Sequence, residues 1–549
     1  MLKTKFFVLL SLFCLHFVTA QQKKEIFVEY AEFFDVDEIQ FPDAILLTGN
    51  VRVSHEGAIL FCNKAYLFKK ENYLKAFGEV RMVQGDTITM TSTYAEYNGE
   101  NKLAYASGNV IMTSPSSTLK SEVVHFDRNS QLAYYTTGGT INDKENVLTS
   151  QAGTYVVQNK MYQFRKAVTI TNPKTVIKTN HLDYYENVGH AYLFGPSTIT
   201  SKENYIYTEK GFYDTKKNLA HFVKNSYIKY NNRRIEGDSL YYDRNKDFAS
   251  ATRNVKITDS INNSIVKGHY GEIYKAKDSL MMTKRAVAMT LVEKDTLYIH
   301  GKRLIVTGKP EERVIRSYPN VRFYKIDMSG KCDSLHSSEK TGLTKLMGNP
   351  VMWNYENQMT GDLMHLISNK ETEKLDSLKV LNNTFIASKD TIGTGFNQVK
   401  GQNLYGKFRD NKLYEVDVVK NTEVIYYMRN DEQELIGINK SASSSINMTL
   451  DENEINSITF FTKSEGEIYP EKDLPENARK LKGFIWRGEE RIRSKDDIFP
   501  PEEQEYEEQM KRETQADAKK EVVPMEVRKE TLEQLELLKE VKKEVDSRS

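Results

Sequence analysis

Apolar and polar residues alternate along most of this chain in short stretches such as Val51-Arg52-Val53. A period of two is the pattern of a half-buried β-strand, with one face turned inward and the other outward. The stretches end in polar turns such as Asp127-Arg128-Asn129 and Asp243-Arg244-Asn245, where Asp and Asn satisfy local backbone groups and tolerate the left-handed conformation. The pattern therefore predicts a mostly β protein built from short antiparallel strands.

The strand pattern itself repeats. The phrase Gly49-Asn50-Val51 returns as Gly78-Glu79-Val80 and Gly108-Asn109-Val110, and a strand is expected to follow each copy. Weaker copies stand at Gly138-Gly139-Thr140, Lys166-Ala167-Val168, Gly195-Pro196-Ser197, Asn225-Ser226, Asn254-Val255 and Ala286-Val287. The step of about 28–32 residues indicates stacked repeats rather than a conventional domain. Because a solenoid grows by adding rungs, all 549 residues need not imply several domains.

After residue 300 the spacing loosens. The remaining anchors are Asn320-Val321, Gly348-Asn349-Pro350, Asn383-Thr384 and Asn421-Thr422. Longer steps predict loops inserted between rungs, and we assign them to residues 309–317 and 325–346. The last strand-like stretch is 455–461, and the segment rich in Pro and charge that follows is interpreted as a cap over an exposed sheet edge.

Both ends of the chain differ from its middle. Residues 1–20 combine Lys3 and Lys5 with an apolar run over 6–18 and a small-residue cleavage pattern, which predicts a signal peptide and an exported protein. From about residue 499 the composition turns to Glu, Lys, Gln and Arg, which indicates a helical or disordered tail. The predicted organisation is a signal peptide at 1–20, regular repeats at 21–300, divergent repeats at 301–465, a cap at 466–498 and a charged tail at 499–549.

Composition limits the chemistry. Lys and Arg number 77 against 76 Asp and Glu, so the basic excess that nucleic-acid binding requires is missing. The histidines are scattered, and Cys62 and Cys332 lie too far apart in sequence for a Cys-x-x-Cys pair. We find no nucleophile elbow and no phosphate-binding loop. The sequence predicts no catalytic residues, no metal site and no cofactor.

Apolar residues recur at equivalent places in successive repeats, so stacking would align them into an inward-facing stripe. The stripe predicted to contact lipid comprises Val51, Val53, Val80, Met82, Val110, Met112, Val168, Ile170, Val255, Ile257, Val287 and Met289. For any single member, ordinary core filling is the simpler explanation. The functional hypothesis concerns the stripe as a whole.

The phrases Thr48-Gly49-Asn50-Val51, Phe77-Gly78-Glu79-Val80 and Ser107-Gly108-Asn109-Val110, each followed by an alternating strand, resemble the OstA-like family. This family includes the periplasmic bridge proteins of lipopolysaccharide transport and the periplasmic part of their outer-membrane partner. The resemblance implies an elongated, all-β jellyroll solenoid of stacked antiparallel strands. It also implies an open, apolar interior that holds acyl chains, and end-to-end strand pairing with other jellyrolls.

We therefore expect a non-enzymatic, periplasmic protein that carries lipopolysaccharide or a related envelope lipid toward the outer membrane. Expected partners are that lipid, other jellyroll proteins of the bridge and the outer-membrane assembly protein, but no nucleic acid. Association with the outer membrane itself is left open. The alternatives are a structural envelope scaffold and a β-helical polysaccharide-active enzyme.

Overall fold

A computed structural model describes residues 25–521 apart from 38, 86–87, 116, 144, 262, 293, 310–311, 373, 391 and 452–453. The predicted signal peptide and residues 522–549 of the predicted tail lie outside this part. The described chain is all-β, as predicted, with antiparallel strands and a single long α-helix near its C-terminal end. It divides into two compact units, residues 1–257 and 258–549.

The strands that begin in the first unit are β1 Phe27–Tyr30, β2 Phe33–Asp37, β3 Phe41–His55, β4 Ala58–Phe68, β5 Tyr73–Gln84, β6 Ile88–Asn98, β7 Leu103–Thr113, β8 Ser117–Asp127, β9 Leu132–Tyr135, β10 Gly139–Asp143, β11 Val147–Ser150, β12 Ala152–Val156, β13 Met161–Asn172, β14 Thr175–Tyr185, β15 His190–Ser201, β16 Asn204–Asp214, β17 Leu219–Val223, β18 Tyr227–Tyr230, β19 Arg233–Glu236, β20 Ser239–Asp243 and β21 Phe248–Asp259.

Those of the second unit are β22 Ser264–Tyr274, β23 Ser279–Thr283, β24 Val287–Val292, β25 Asp295–His300, β26 Arg303–Thr307, β27 Val314–Tyr318, β28 Val321–Lys325, β29 Met328–Cys332, β30 Ser334–Ser338, β31 Leu343–Met347, β32 Val351–Asn354, β33 Asn357–Thr360, β34 Leu363–Ser368, β35 Leu375–Lys389, β36 Phe396–Arg409, β37 Lys412–Arg429, β38 Leu435–Asp451, β39 Glu454–Phe461 and β40 Glu465–Tyr469. Short 3₁₀ turns lie at Lys275–Lys277, Glu471–Asp473, Glu476–Arg479 and Gly488–Glu490, and helix α1 is Pro501–Glu521.

The repeated phrase forms a corner inside a strand rather than a boundary before one. In β3, Gly49 and Asn50 have φ values of 79° and 44°, and in β5 Gly78 and Glu79 have 73° and 47°. Two successive left-handed residues turn the strand while its pairing continues after a register shift, for example between Thr48 and Val51. The expected short strands are therefore long strands of about a dozen residues that bend once.

Each corner divides the sheet into two walls. Wall A contains strand segments such as 73–77 of β5 and 94–98 of β6, and wall B contains 80–84 and 88–92 of the same strands. Residues of both walls line one small cavity, with Leu74 and Tyr97 from wall A and Val53 and Met82 from wall B. The inner faces of the two walls therefore pack against each other as a jellyroll.

The second unit follows the same plan with extra material. The segment 325–346, predicted as a loop, instead forms β29, β30 and most of β31, which are paired to neighbouring strands. From Pro470 to Pro500 the chain leaves the sheet, and we call this segment the strap. The strap packs Leu474 and Leu481 against Phe385, Ile425 and other sheet residues, so it covers a face of the sheet along several strands.

The strap lies on the outer face of wall B. Ala387 and Gln398 contact it, whereas their neighbours Ile386 and Val399 belong to the interior cluster that also contains Leu346 of wall A. Successive residues of a strand point to opposite faces, so the strap and wall A flank wall B from opposite sides. The second unit therefore has three layers in this region.

Candidate functional site

The interior of the first unit contains an unbroken aliphatic row on wall B. Each of fourteen neighbouring strands contributes one residue, paired directly with the next. In strand order these residues are Val53, Leu60, Met82, Met90, Met112, Leu119, Ile141, Leu148, Ile170, Ile177, Ile199, Ile206, Ile228 and Ile235. At about 4.8 Å per strand, the row extends over about 60 Å. Such a continuous apolar track has the dimensions for long apolar ligands.

The structure buries most of the predicted stripe. Val53, Met82, Met112 and Ile170 are members of the aliphatic row. Val51, Val80, Val110 and Val168 lie one step nearer the corners with exposures of 0–2%. Val255 and Ile257, near the end of the unit, are equally buried. These ten residues are brought together inside the first unit.

Val287 and Met289 do not belong to this interior. The corner at this repeat is Lys284-Arg285, one residue before the position inferred from Ala286-Val287, so Ala286 takes the inward place that Val51 has in the first repeat. A one-residue slip moves side chains to the other face of a strand. Val287 and Met289 accordingly lie on the outer face, where they pack with Ile492, Ile498 and Phe499 of the strap.

Wall A opposes the aliphatic row with aromatic and small residues. Cross-strand pairs join Tyr97 to Ala104, Ala104 to Phe126 and Phe126 to Ala133. The alternation continues from Tyr184 through Ala191, Tyr213, Ala220 and Tyr242 to Ala249. Alternating large and small side chains let the two walls interdigitate closely.

Polar side chains close the mouth where the free ends of the walls meet, at the side opposite the corners. The Tyr97 hydroxyl lies 2.7 Å from Nδ1 of His55, and Arg128 Nη1 donates to the same hydroxyl at 2.7 Å. Arg128 also donates to the carbonyl oxygens of His55 and Glu56. Burial raises the pKa of Tyr97, and the nearby Arg128 opposes that rise. A wall A turn and a wall B turn are thereby joined.

Similar bridges recur further along the first unit. The hydroxyls of Ser117 and Tyr162 are 2.7 Å apart, and Arg244 Nη1 donates to Thr175 Oγ1 at 3.1 Å. Lys102, in the wall A turn before β7, forms an ion pair of 2.6 Å with Glu56, in the wall B turn between β3 and β4. We call this line of bridges the seam. At these positions the seam bridges the mouth that the resemblance predicts to be open.

The closed interior has little free volume at its N-terminal end. The cavity between Leu74, Tyr97 and Met82 measures about 20 Å³, which is room for about one water molecule. An acyl chain would have to part the walls to enter here. The seam is therefore the element that decides access.

The two thiols contribute packing rather than chemistry. Cys62 and Cys332 are both free and buried. Burial raises the pKa of Cys62 to about 11 and that of Cys332 to about 12, so neither is a thiolate near neutral pH. Among the described residues no group of three His, Cys, Asp or Glu side chains could hold a metal ion.

The seam residues were not identified from the sequence. Their signal was the repeated turn Asp127-Arg128-Asn129 and Asp243-Arg244-Asn245, whose aspartates cap the turn by accepting from the backbone at Asn129 and Asn245. The arginine between them reaches the opposite wall in both copies. The repeated turn therefore also places an arginine that bridges the two walls, which becomes visible only in the structure.

One known protein family matches part of this chain. The profile of the family described as OstA-like protein matches residues 23–180 and again residues 159–237. This match confirms the resemblance drawn from the repeated phrases over residues 23–237. No curated protein matches the chain. In the part that the structure describes, no helix is both long and apolar enough to cross a membrane.

Proposed function

We propose that this protein is a non-enzymatic carrier of lipopolysaccharide or a related envelope lipid, and that the interior of the first unit holds the acyl chains. The observation that carries the proposal is the fourteen-residue aliphatic row in the OstA-like region. The family supports a jellyroll of the lipopolysaccharide-transport type. We further propose that the protein acts in the periplasm, to which the predicted signal peptide would deliver it.

The energetics favour an enclosed track. Burying a methylene group is worth about 0.8 kcal/mol, so a 12-carbon acyl chain crossing water costs on the order of 10 kcal/mol. A row of aliphatic side chains that continues from strand to strand removes this cost at every step. The methionines Met82, Met90 and Met112 add side chains that adapt to different chain positions.

The first rung suits association with another jellyroll. Strands β1 and β2 pair with β3 and carry apolar side chains that are more than half exposed, among them Phe27, Phe33 and Phe34. Exposed apolar strands at a sheet end are templates for pairing with another chain. We propose that other bridge proteins, including the outer-membrane assembly protein, dock by strand pairing at the ends of the sheet.

Site-specific photocrosslinking tests the lipid proposal directly. A photoreactive residue at Met112 should crosslink to a labelled lipopolysaccharide, whereas the same residue at Ile111, its neighbour on the outer face, should not. Extraction of the purified protein with organic solvent should recover acyl chains. Equal labelling at both positions, or none at Met112, would contradict the proposal.

A structural scaffold remains the second candidate because the interior is closed and its stripe residues are 0–7% exposed. The seam separates the two functions. If lipid enters, Arg128→Ala combined with Arg244→Ala should raise the rate of lipid uptake, because each substitution removes a bridge between the walls. The matched control is Arg165→Ala, since Arg165 pairs with Asp183 away from the seam. A scaffold would show no uptake in any variant.

A further inference from the structure

The outer face of wall B in the first unit consists of two adjacent, fully paired rows. The row nearer the corners contains Arg52, Phe61, Arg81, Thr91, Ile111, Lys120, Thr140, Thr149, Thr169, Lys178, Thr198, Tyr207 and Tyr227. The second contains Ser54, Ile59, Val83, Thr89, Thr113, Thr118, Asn142, Val147, Thr171, Val176, Thr200, Tyr205, Lys229 and Arg234. We call these 27 residues the outer B face.

The outer B face contains no carboxylate. With 76 Asp and Glu in 549 residues, about four would be expected at the average frequency, and outward positions should be richer in charge than average. Six positions are instead Arg or Lys, and ten are Thr. Carboxylates flank the face at both ends, where Glu29 of β1 pairs with Arg52 at 2.6 Å and Glu236 of β19 pairs with Arg234 at 2.8 Å. The face is thus cationic and rich in hydroxyl groups.

Several of these cations have no acidic partner. Among the described residues, Lys120 and Lys178 are exposed and form no ion pair, and Arg81 lies over the Phe61 ring at 4.4 Å. Lys229 lies 5.7 Å from the centre of the Tyr205 ring. Counting strands at about 4.8 Å, the cations Arg81, Lys120, Lys178 and Lys229 follow one another at intervals of about 14–19 Å.

The other outer faces differ from the outer B face in charge pairing and in coverage. The outer face of wall A mixes charges and pairs them, as Lys75 does with Glu96 and Arg165 with Asp183. The outer face of wall B in the second unit is covered by the strap, which packs apolar side chains against it. Only in the first unit does wall B present an open, polar face with unpaired positive charge. Unneutralised charge on an extended surface favours an extended partner of the opposite sign.

We propose that the outer B face binds a linear acidic polysaccharide, with the lysines and arginines pairing with its carboxylates and the Thr and Tyr hydroxyls hydrogen-bonding to its sugars. The widely spaced cations suit a polymer of moderate charge density. Double-stranded nucleic acid carries a charge every 1.7 Å or so, and binding to an anionic membrane calls for a dense cluster of four to eight cations. This site does not depend on what the interior carries.

The test measures binding of the full-length protein to polygalacturonate, with neutral dextran as the uncharged comparison. The variant Lys120→Glu/Lys178→Glu reverses two exposed charges and should weaken binding at least tenfold. The control Lys210→Glu reverses one charge on wall A, where Lys210 pairs in register with Phe194, and should bind like the parent, while Lys120→Glu alone should already weaken binding. Circular dichroism confirms that all of these proteins are folded.

Two further measurements sharpen the outcome. Affinity should fall as salt rises, and long polygalacturonate should bind more tightly than a trimer, because only the polymer can contact several cations at once. The proposal is overturned if parent and double variant bind equally, if dextran binds as well as polygalacturonate, or if the protein ignores polygalacturonate and the two lysines instead support binding to vesicles of anionic phospholipid.

Discussion

Val110 and Ile111 are neighbours in β7 and lie in opposite environments. Val110 is 1% exposed in the interior, and Ile111 is 37% exposed on the outer B face. Both residues are aliphatic, so the difference follows from the period-two alternation alone. Val110 is the first residue after the corner Gly108-Asn109 and points inward, and Ile111 is the second and points outward. Single substitutions at such neighbours therefore distinguish the two faces of wall B.

Val110→Asp should destabilise the first unit strongly, because it buries a carboxylate without a partner at a cost of several kcal/mol. Ile111→Asp is the matched control, and its effect should stay below about 1 kcal/mol. Thermal unfolding followed by circular dichroism should show a clear drop for the first variant only. Equal midpoints for both variants would refute the face assignment.

His300 is a buried histidine in contact with the C-terminal helix. It is 1% exposed, its Nδ1 lies 2.8 Å from the Ala286 carbonyl oxygen, and its Nε2 lies 3.6 Å from Glu503. Burial lowers the pKa of His300 to about 4, and the nearby Arg322 and Arg285 act in the same direction. Burial raises the pKa of Glu503. At neutral pH this histidine is uncharged.

The second unit should lose stability as the pH falls from about 6.5 toward 4. In this window the unfolded state binds a proton at His300 that the folded state does not, which is worth up to about 3 kcal/mol. Glu503 has the opposite sign, because its raised pKa favours protonation in the folded state. His300→Gln should flatten the pH dependence of the stability.

The chain's two tryptophans, Trp353 and Trp486, both lie in the second unit, so tryptophan fluorescence during unfolding reports on this unit. An unchanged pH profile in the variant would contradict this account.

Among the elements, the strap is the one that sequence patterns described least well. Gln398 and Gln358, each 1% exposed, hold its backbone through paired hydrogen bonds. Gln398 donates to the Arg479 carbonyl and accepts from the Leu481 amide at 2.8 and 2.9 Å, and Gln358 does the same with Ile485 and Arg487. Nothing local marks these glutamines, because their partners lie 81 or more residues away. Long-range pairing of this kind leaves no periodic signal.

The corners show the opposite case. A left-handed residue favours Gly or Asn, so Gly49-Asn50 and its copies could be found from local chemistry. Local chemistry did not reveal the corner at Lys284-Arg285, because neither Lys nor Arg favours the left-handed conformation. The face assigned to Val287 was wrong as a result. Strand length was missed for a related reason, because a corner within a strand and a turn between strands use the same residues.

Truncation of the C-terminal region should separate the strap from the tail. A chain ending at residue 521 should unfold like the parent, since only residues beyond the described helix are lost. A chain ending at residue 469 loses Leu474, Leu481, Ile492, Ile498 and Phe499, all 0–8% exposed, each worth about 1.5–3 kcal/mol when buried. The second unit should then unfold at a much lower temperature, read by Trp353 fluorescence. Parent-like unfolding of the shorter chain would show that the strap is dispensable.

At the scale of the whole molecule, the number of stacked repeats determines the length of the sheet. The fourteen strands of the aliphatic row extend over about 60 Å, whereas a compact globule of the size of the first unit, residues 1–257, has a radius of gyration of about 18 Å and would be only about 47 Å across. We expect reversible end-to-end association, because Phe33 and Phe34 are 67% and 61% exposed on the terminal strand β2. Phe33→Glu should weaken that association without changing the monomer's small-angle scattering, and Ile111→Glu, an equal change away from the sheet end, should leave it intact. Association that survives Phe33→Glu would place the contact elsewhere than on the first rung.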